Sequence, residues 1–256
     1  MAGAFFFVRI NPACRQNLAV HHAQYQELAE ALSEGKVSVG DAEEALLAMK
    51  NPYDNIALQA AGIGYRADYA YYNGKYYVYF GIVPVLLLYL PYYLLTGGAL
   101  QNYVAVFVFF AGFIIAAAGF VYELMKRYFK EQPFYLWAVG TGMLVGSYSM
   151  FYLLIRPDLY HVPIAASTMF ATGGLWLYLA GLNRPKKAVG LYAFGSFCMA
   201  LTAGCRPQFI LFAALAVVLF WERVFVKREL FSKKGWRQTA ALVVPYVLIA
   251  AGLMAY

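Results

Sequence analysis

The sequence predicts an all-α polytopic membrane protein, in which a polar segment with short amphipathic helices precedes a bundle of apolar helices. Three observations carry this prediction. The chain has 256 residues, 62% hydrophobic and 13% charged, with a mean hydropathy of +0.57. A soluble domain carries about 25% charge, so the polar coat that would face water on all sides is missing. Second, the charges are divided. Residues 1–76 hold eight of the thirteen acids and six of the twenty bases, whereas residues 77–256 hold five acids and fourteen bases spaced by long apolar stretches. Third, several of those stretches approach the roughly 20 residues that a helix needs to cross a bilayer core about 30 Å thick. This composition excludes a disordered, collagenous or disulfide-stapled chain. Cys14, Cys198 and Cys205 form no CxxC or Cys/His metal spacing.

The polar segment is expected to hold two short helices. Tyr25, Leu28, Ala29 and Leu32 recur at helical spacing and the pattern stops at Gly35. Asp41 and Glu44 resemble a capping box that opens a second helix through Met49. Asn51-Pro52-Tyr53-Asp54 reads as a turn. Ten tyrosines lie between Tyr65 and Tyr93. That density suits a membrane–water boundary, where the ring is apolar and the hydroxyl stays wet.

In the apolar body, Tyr103–Tyr122, Phe134–Ile155, Val162–Leu182 and Thr239–Tyr256 are charge-free and near spanning length. Ala188–Cys205 and Pro207–Trp221 are shorter and flank Arg206. About six spans are expected over residues 99–256. Tyr76–Leu95 contains Pro84 and Pro91, and residues 76–98 read as a re-entrant or interfacial segment or as a further span. The first alternative puts residues 1–75 outside the cell, the second inside. The stub Ala4–Val8 is too short to span, and no signal peptide is legible. The chain is expected to be a fragment of a longer protein, truncated at both ends.

Twelve of the fourteen bases of the body fall in residues 123–133, 183–187 and 222–238. An even number of spans separates these loops, so they share one side, which the positive-inside rule makes cytoplasmic. The net charge of +7 is thus an orientation signal, and no nucleic-acid partner is expected.

No Walker, HExxH, GxSxG or Rossmann pattern is present. The ionisable groups left for the outer side are Arg156, Asp158, His161 and Arg206, and such groups at membrane depth are functional candidates. Arg206 at a tight outer turn is read either as a bidentate phosphate ligand or as an arginine snorkelling to headgroups. Asp68, just before the membrane body, is read either as a general base or as an exposed loop aspartate. Both residues are expected to face one outer cavity.

The segment ADYAYYNGKYYVYFGIVPVLLLYLPYYLLTGG (residues 67–98), with LLAMKNPYDN (46–55), RPDLYHVP (156–163) and AGCRPQF (203–209), resembles membrane proteins of the GT-C glycosyltransferase superfamily. The nearest branch is that of lipopolysaccharide-core galacturonosyltransferases and protein O-mannosyltransferases. The resemblance covers roughly residues 20–256. It implies a GT-C-like bundle in a bacterial inner membrane of the cell envelope, with the site on the outer face, residues 1–75 as an extracytoplasmic loop with interfacial helices, and residues 76–98 lying on or dipping into the outer leaflet. The implied reaction passes a sugar from a polyprenyl-phosphate donor to a lipid or glycan acceptor hydroxyl. Membrane lipids are the other expected partners, and the superfamily admits a divalent metal although no ligand cluster here demands one. The family keeps acidic residues at the start of its first outer loop, where this chain has AVHHAQYQ (19–26), with His21 and His22 and no carboxylate before Glu27. The catalytic role then falls to Asp68 or Asp54. Phosphate binding falls to Arg206, helped by Arg156, His161 and Lys75. The rival classes are a transporter or scaffold, and an inactive fragment of the transferase. A transporter is expected to show repeats with broken helices, for which Gly173-Gly174 is the one candidate break.

Overall fold

A computed structural model describes residues 23–256 apart from 43, 65, 67, 148, 233 and 234. Cys14, His21, His22 and the apolar stub at residues 4–8 therefore lie outside the described residues. The chain forms two compact units, one running to Leu100 and the other starting at Gln101. It is mainly helical, with one two-stranded sheet among the described residues.

The first unit opens with α1 (Gln24–Ser33). Tyr25, Leu28 and Ala29 are buried at the expected spacing. The helix ends in a Schellman closure, with Lys36 N–H reaching Ala31 O at 2.8 Å. Gly35 holds φ +75 there, a left-handed geometry that glycine adopts without steric cost.

The expected helix from Asp41 to Met49 shrinks to the four residues of α2 (Glu44–Leu47). Asp41 is instead bridged to Lys75, and Ala42 N–H bonds Gly74 O at 2.8 Å. Sheet pairing across the chain thus takes the backbone that the capping box needed. A further helix, α3 (Asn55–Ala60), follows the Asn51–Asp54 turn. Ala70–Tyr72 (β1) and Lys75–Tyr77 (β2) form an antiparallel hairpin.

That hairpin corrects the bounds of the apolar segment. Tyr76 and Tyr77 pair with β1, and the helix α4 covers only Ile82–Thr96. At 15 residues it falls short of the roughly 20 that a span needs. Residues 85–89 are widened into a π-turn just before Pro91, whose missing N–H cannot close on Leu87. α4 packs on α1 within the unit, with Tyr25 and Tyr89 ring centroids 5.4 Å apart. Its other side exposes Leu86, Leu87, Leu94 and Leu95. No Asp, Glu, Lys, Arg or His occurs from Tyr76 through Tyr122, so water is a poor solvent for this surface.

Among the described residues, the second unit holds five helices long and apolar enough to cross a membrane. They are α5 (Asn102–Tyr128), α8 (His161–Asn183), α9 within Pro185–Cys205, α10 (Pro207–Val226) and α11 (Trp236–Ala255). The sixth expected span, Phe134–Ile155, is broken into α6 (Tyr135–Ser147) and α7 (Met150–Ile155). Ser147 Oγ folds back onto Leu144 O at 3.0 Å, a local bond that competes with helix continuation. α5 runs six residues into the expected basic loop, because Glu123 is taken up by partners from the end of α8 described below.

α8 and α9 (Ala188–Cys205) pack antiparallel. A Cβ on Gly174 would lie 2.9 Å from Gly195 O, and one on Gly195 would lie 3.1 Å from Gly174 O. The missing side chains let the two backbones touch, as membrane helices commonly do. Gly173-Gly174 is thus a contact point and not a break, and α8 is one uninterrupted helix. Tyr178 Oη bonds Ser196 Oγ at 2.9 Å and Tyr246 Oη at 3.2 Å, tying α8 to α9 and α11. α10 opens as a 3-10 helix over Pro207–Ala213. That form rises about 2.0 Å per residue, which lengthens an otherwise short span.

Candidate functional site

The end of the second unit away from the basic loops gathers Arg156, Asp158, His161 and Arg206. Arg206 caps α9 in extended conformation, φ −152 and ψ 110. Pro207 imposes this by disfavouring the helical region for the residue before it. Its own N–H closes the helix on Thr202 O at 2.8 Å. Its depth follows from the α8–α9 register. Tyr178 faces Ser196 and Gly174 faces Gly195, so Arg206 comes level with Pro163–Thr168. That is about one turn, ~5 Å, inside the start of α8 at His161. Arg206 as a residue is half-buried, and its guanidinium makes no hydrogen bond or ion pair with the described residues.

Arg156 caps α7, is exposed, and has an equally uncommitted guanidinium among the described residues. His161 is partly spent on its own turn. Its Nδ1 lies against Arg156 O and receives the Asp158 N–H at 3.2 Å. Its ring stands edge-on to Tyr152 at 5.5 Å. Only Nε2 is left to meet a ligand. The two arginines supply the planar forked donors that phosphate recognition uses.

No family model, curated protein or solved structure matches this chain. Its chemistry is therefore read from the residues alone.

Asp54, Asp68 and Lys75 belong to the first unit. Asp54 is committed to a cap: its Oδ1 accepts from Ile56 N–H at 3.1 Å and Ala57 N–H at 3.2 Å. Asp68 holds φ +65, is half-exposed, and its carboxylate is not spent on a described partner. Of the two expected carboxylates it is the one available for chemistry. Lys75 lines a cavity of about 410 Å³ whose walls also carry Glu27, Glu30, Glu34 and Asp41. Lys36 lines it too and pairs with Glu34, and Arg66 pairs with Glu27, so Glu30 and Asp41 are left to face Lys75 with a small net negative charge. Among the described residues no three His, Cys, Asp or Glu side chains gather into a metal site.

Two polar networks were not legible as sites. In the first unit, Glu27 Oε2 accepts from Arg66 at 2.6 Å and from Tyr69 Oη at 2.7 Å. The Arg66 guanidinium lies 4.3 Å from the Tyr69 ring centroid. Burial, and then the bond to Glu27, pushes the Tyr69 phenol well above its ordinary range. At the basic-loop end of the second unit, the Glu123 side chain is 2% exposed and pairs with Arg184. Asn183 Nδ2 also bonds its Oε2 at 2.9 Å. Partners 39 and 61 positions apart leave no periodic trace in a sequence.

Proposed function

We propose that this chain is the membrane body of a GT-C-type glycosyltransferase. It passes a sugar from a polyprenyl-phosphate donor to a lipid or glycan hydroxyl, on the face of a bacterial inner membrane opposite the basic loops. The observation that carries this reading is the uncommitted guanidinium of Arg206 on a half-buried residue whose backbone lies about one turn inside the start of α8. A cation without a partner at membrane depth is costly, and a lipid phosphate entering from the membrane would offset that cost with charge-assisted bonds.

In this mechanism Arg206 and Arg156 hold the phosphate of the donor. The acceptor oxygen attacks the sugar C1 while the C1–O bond breaks and its electron pair passes to the phosphate oxygen. A general base takes the acceptor proton, and Asp68 is the uncommitted carboxylate of the first unit to test for that role. Stabilising the developing phosphate charge is the large contribution, and general-base assistance adds about 10²–10⁴-fold.

A polyprenyl phosphate with a diazirine beside the phosphate tests the reading. Crosslinks are expected within residues 156–161 or 203–210 and should disappear under excess unlabelled polyprenyl phosphate. Crosslinks confined to residues 123–131 or 222–238, or labelling that excess lipid does not reduce, would overturn it. In cell membranes Asp68→Asn should keep the crosslink and lose release of the sugar by at least about 100-fold.

A further inference from the structure

The basic-loop end of the second unit contains a cavity of about 300 Å³ that the transfer reading does not use. Three cations, Arg127, Arg223 and Lys227, line it together with Glu222 and Glu229. Two of the cations are neutralised. Lys227 Nζ pairs with Glu222 at 2.8 Å, and Arg223 Nε pairs with Glu229 at 2.8 Å. The Arg223 fork also donates from Nη1 to Tyr192 Oη at 2.9 Å and from Nη2 to Gln238 Oε1 at 2.8 Å.

Arg127 is different. It sits half-buried on the last turn of α5 without a carboxylate partner among the described residues. Its Nη1 makes only long contacts, 3.4 Å to Leu182 O and 3.3 Å to Asn183 Oδ1. Its Nε and Nη2 donors are unspent among the described residues. Because Gln238 turns its Oε1 to Arg223, its amide NH2 is a second donor on the cavity wall. The cavity thus carries one surplus positive charge and a set of unspent N–H donors. Around it the three loops hold twelve bases against four acids, a field that concentrates anions.

The lining also includes the apolar residues Leu182, Pro185 and Ala188. The adjoining span α10 exposes Leu215, Val217 and Val218. A ligand suited to both the charged and the apolar surface has a phosphate at one end and hydrocarbon at the other. We infer that this cavity binds the headgroup phosphate of an anionic phospholipid from the leaflet on the basic-loop side, with Arg127 and the Gln238 amide as its ligands. Basic pockets between membrane helices take such headgroups on physical grounds of charge and proximity to the leaflet. This inference is independent of the transferase reading and concerns the other end of the bundle.

The test uses the whole chain in phosphatidylcholine nanodiscs doped with phosphatidylglycerol, with retained lipid counted by native mass spectrometry. The wild type should retain one phosphatidylglycerol. Arg127→Gln should weaken retention at least about tenfold. Lys186→Gln removes an exposed charge from the same end but outside the cavity, and should change it less than twofold. Glu222→Gln releases Lys227 and removes a carboxylate from the wall, so it should tighten retention, which keeps the proposal testable if Arg127→Gln fails to fold. Equal losses for Arg127→Gln and Lys186→Gln would reduce the effect to diffuse surface charge and overturn the site. Displacement of the lipid by millimolar glycerol 3-phosphate would reassign it to a soluble phosphate ester and overturn the lipid assignment.

Discussion

Gly195→Leu is expected to force α8 and α9 apart and to cost about 3 kcal/mol or more, the upper range of overpacking. A Cβ on Gly195 would already stand 2.8 Å from the Tyr178 ring and 3.1 Å from Gly174 O. The second of these is backbone and cannot swing aside. Separation also strains the Tyr178–Ser196 and Tyr178–Tyr246 bonds that bring in α11. The same helix supplies the control. Gly190 has open space where its Cβ would be, so Gly190→Ala should be neutral or stabilise by up to about 1 kcal/mol through helix propensity. Thermal unfolding in detergent distinguishes the two, and a Gly195→Leu protein as stable as the wild type would contradict the close crossing.

Glu123→Ala is expected to destabilise the second unit by about 1.5–3 kcal/mol, the range for hydrogen bonds to a charged group. The substitution strips Arg184 and Asn183 Nδ2 of the carboxylate that joins the end of α5 to the end of α8. Adding Arg184→Met should recover part of that loss, because removing both members of a pair leaves no uncompensated charge. A double-mutant cycle read from denaturation midpoints gives the coupling. Strict additivity of the two substitutions would show that the pair contributes nothing.

These cases show what a sequence carries and what it does not. Apolar length and the grouping of bases placed α5, α8, α9 and α11 to within a few residues, because spanning length and charge exclusion are local properties. The helix over Gln24–Ser33 was legible for the same reason: its burial repeats every turn and Gly35 stops it. The break before α7 and the short α2 were not legible. Ser149 leaves the helical region at ψ 21 in the middle of an apolar run, and α2 is cut short by pairing between Asp41 and Lys75, neither of which periodicity registers.

The site divided along the same line. Arg206 stood out as a charge between apolar runs, and its depth became measurable only through the Gly174–Gly195 register. Asp54 and Asp68 looked alike in sequence, and the cap formed with Ile56 and Ala57 separates them. Arg127 was lost among the loop bases, since nothing in the sequence says which of the twelve lines a cavity without a carboxylate partner.

Affinity for polyprenyl phosphate, measured on the purified chain and on single arginine variants, tests the central claim most directly. Arg206→Gln should weaken binding at least about tenfold, as expected for the loss of charge-assisted bonds, with Arg206→Lys between it and the wild type because a lysine cannot form the bidentate fork. Lys186→Gln, an exposed charge at the other end of the bundle, should bind as the wild type does. Wild-type affinity in Arg206→Gln, or an equal loss in Lys186→Gln, would contradict a lipid-phosphate site at Arg206.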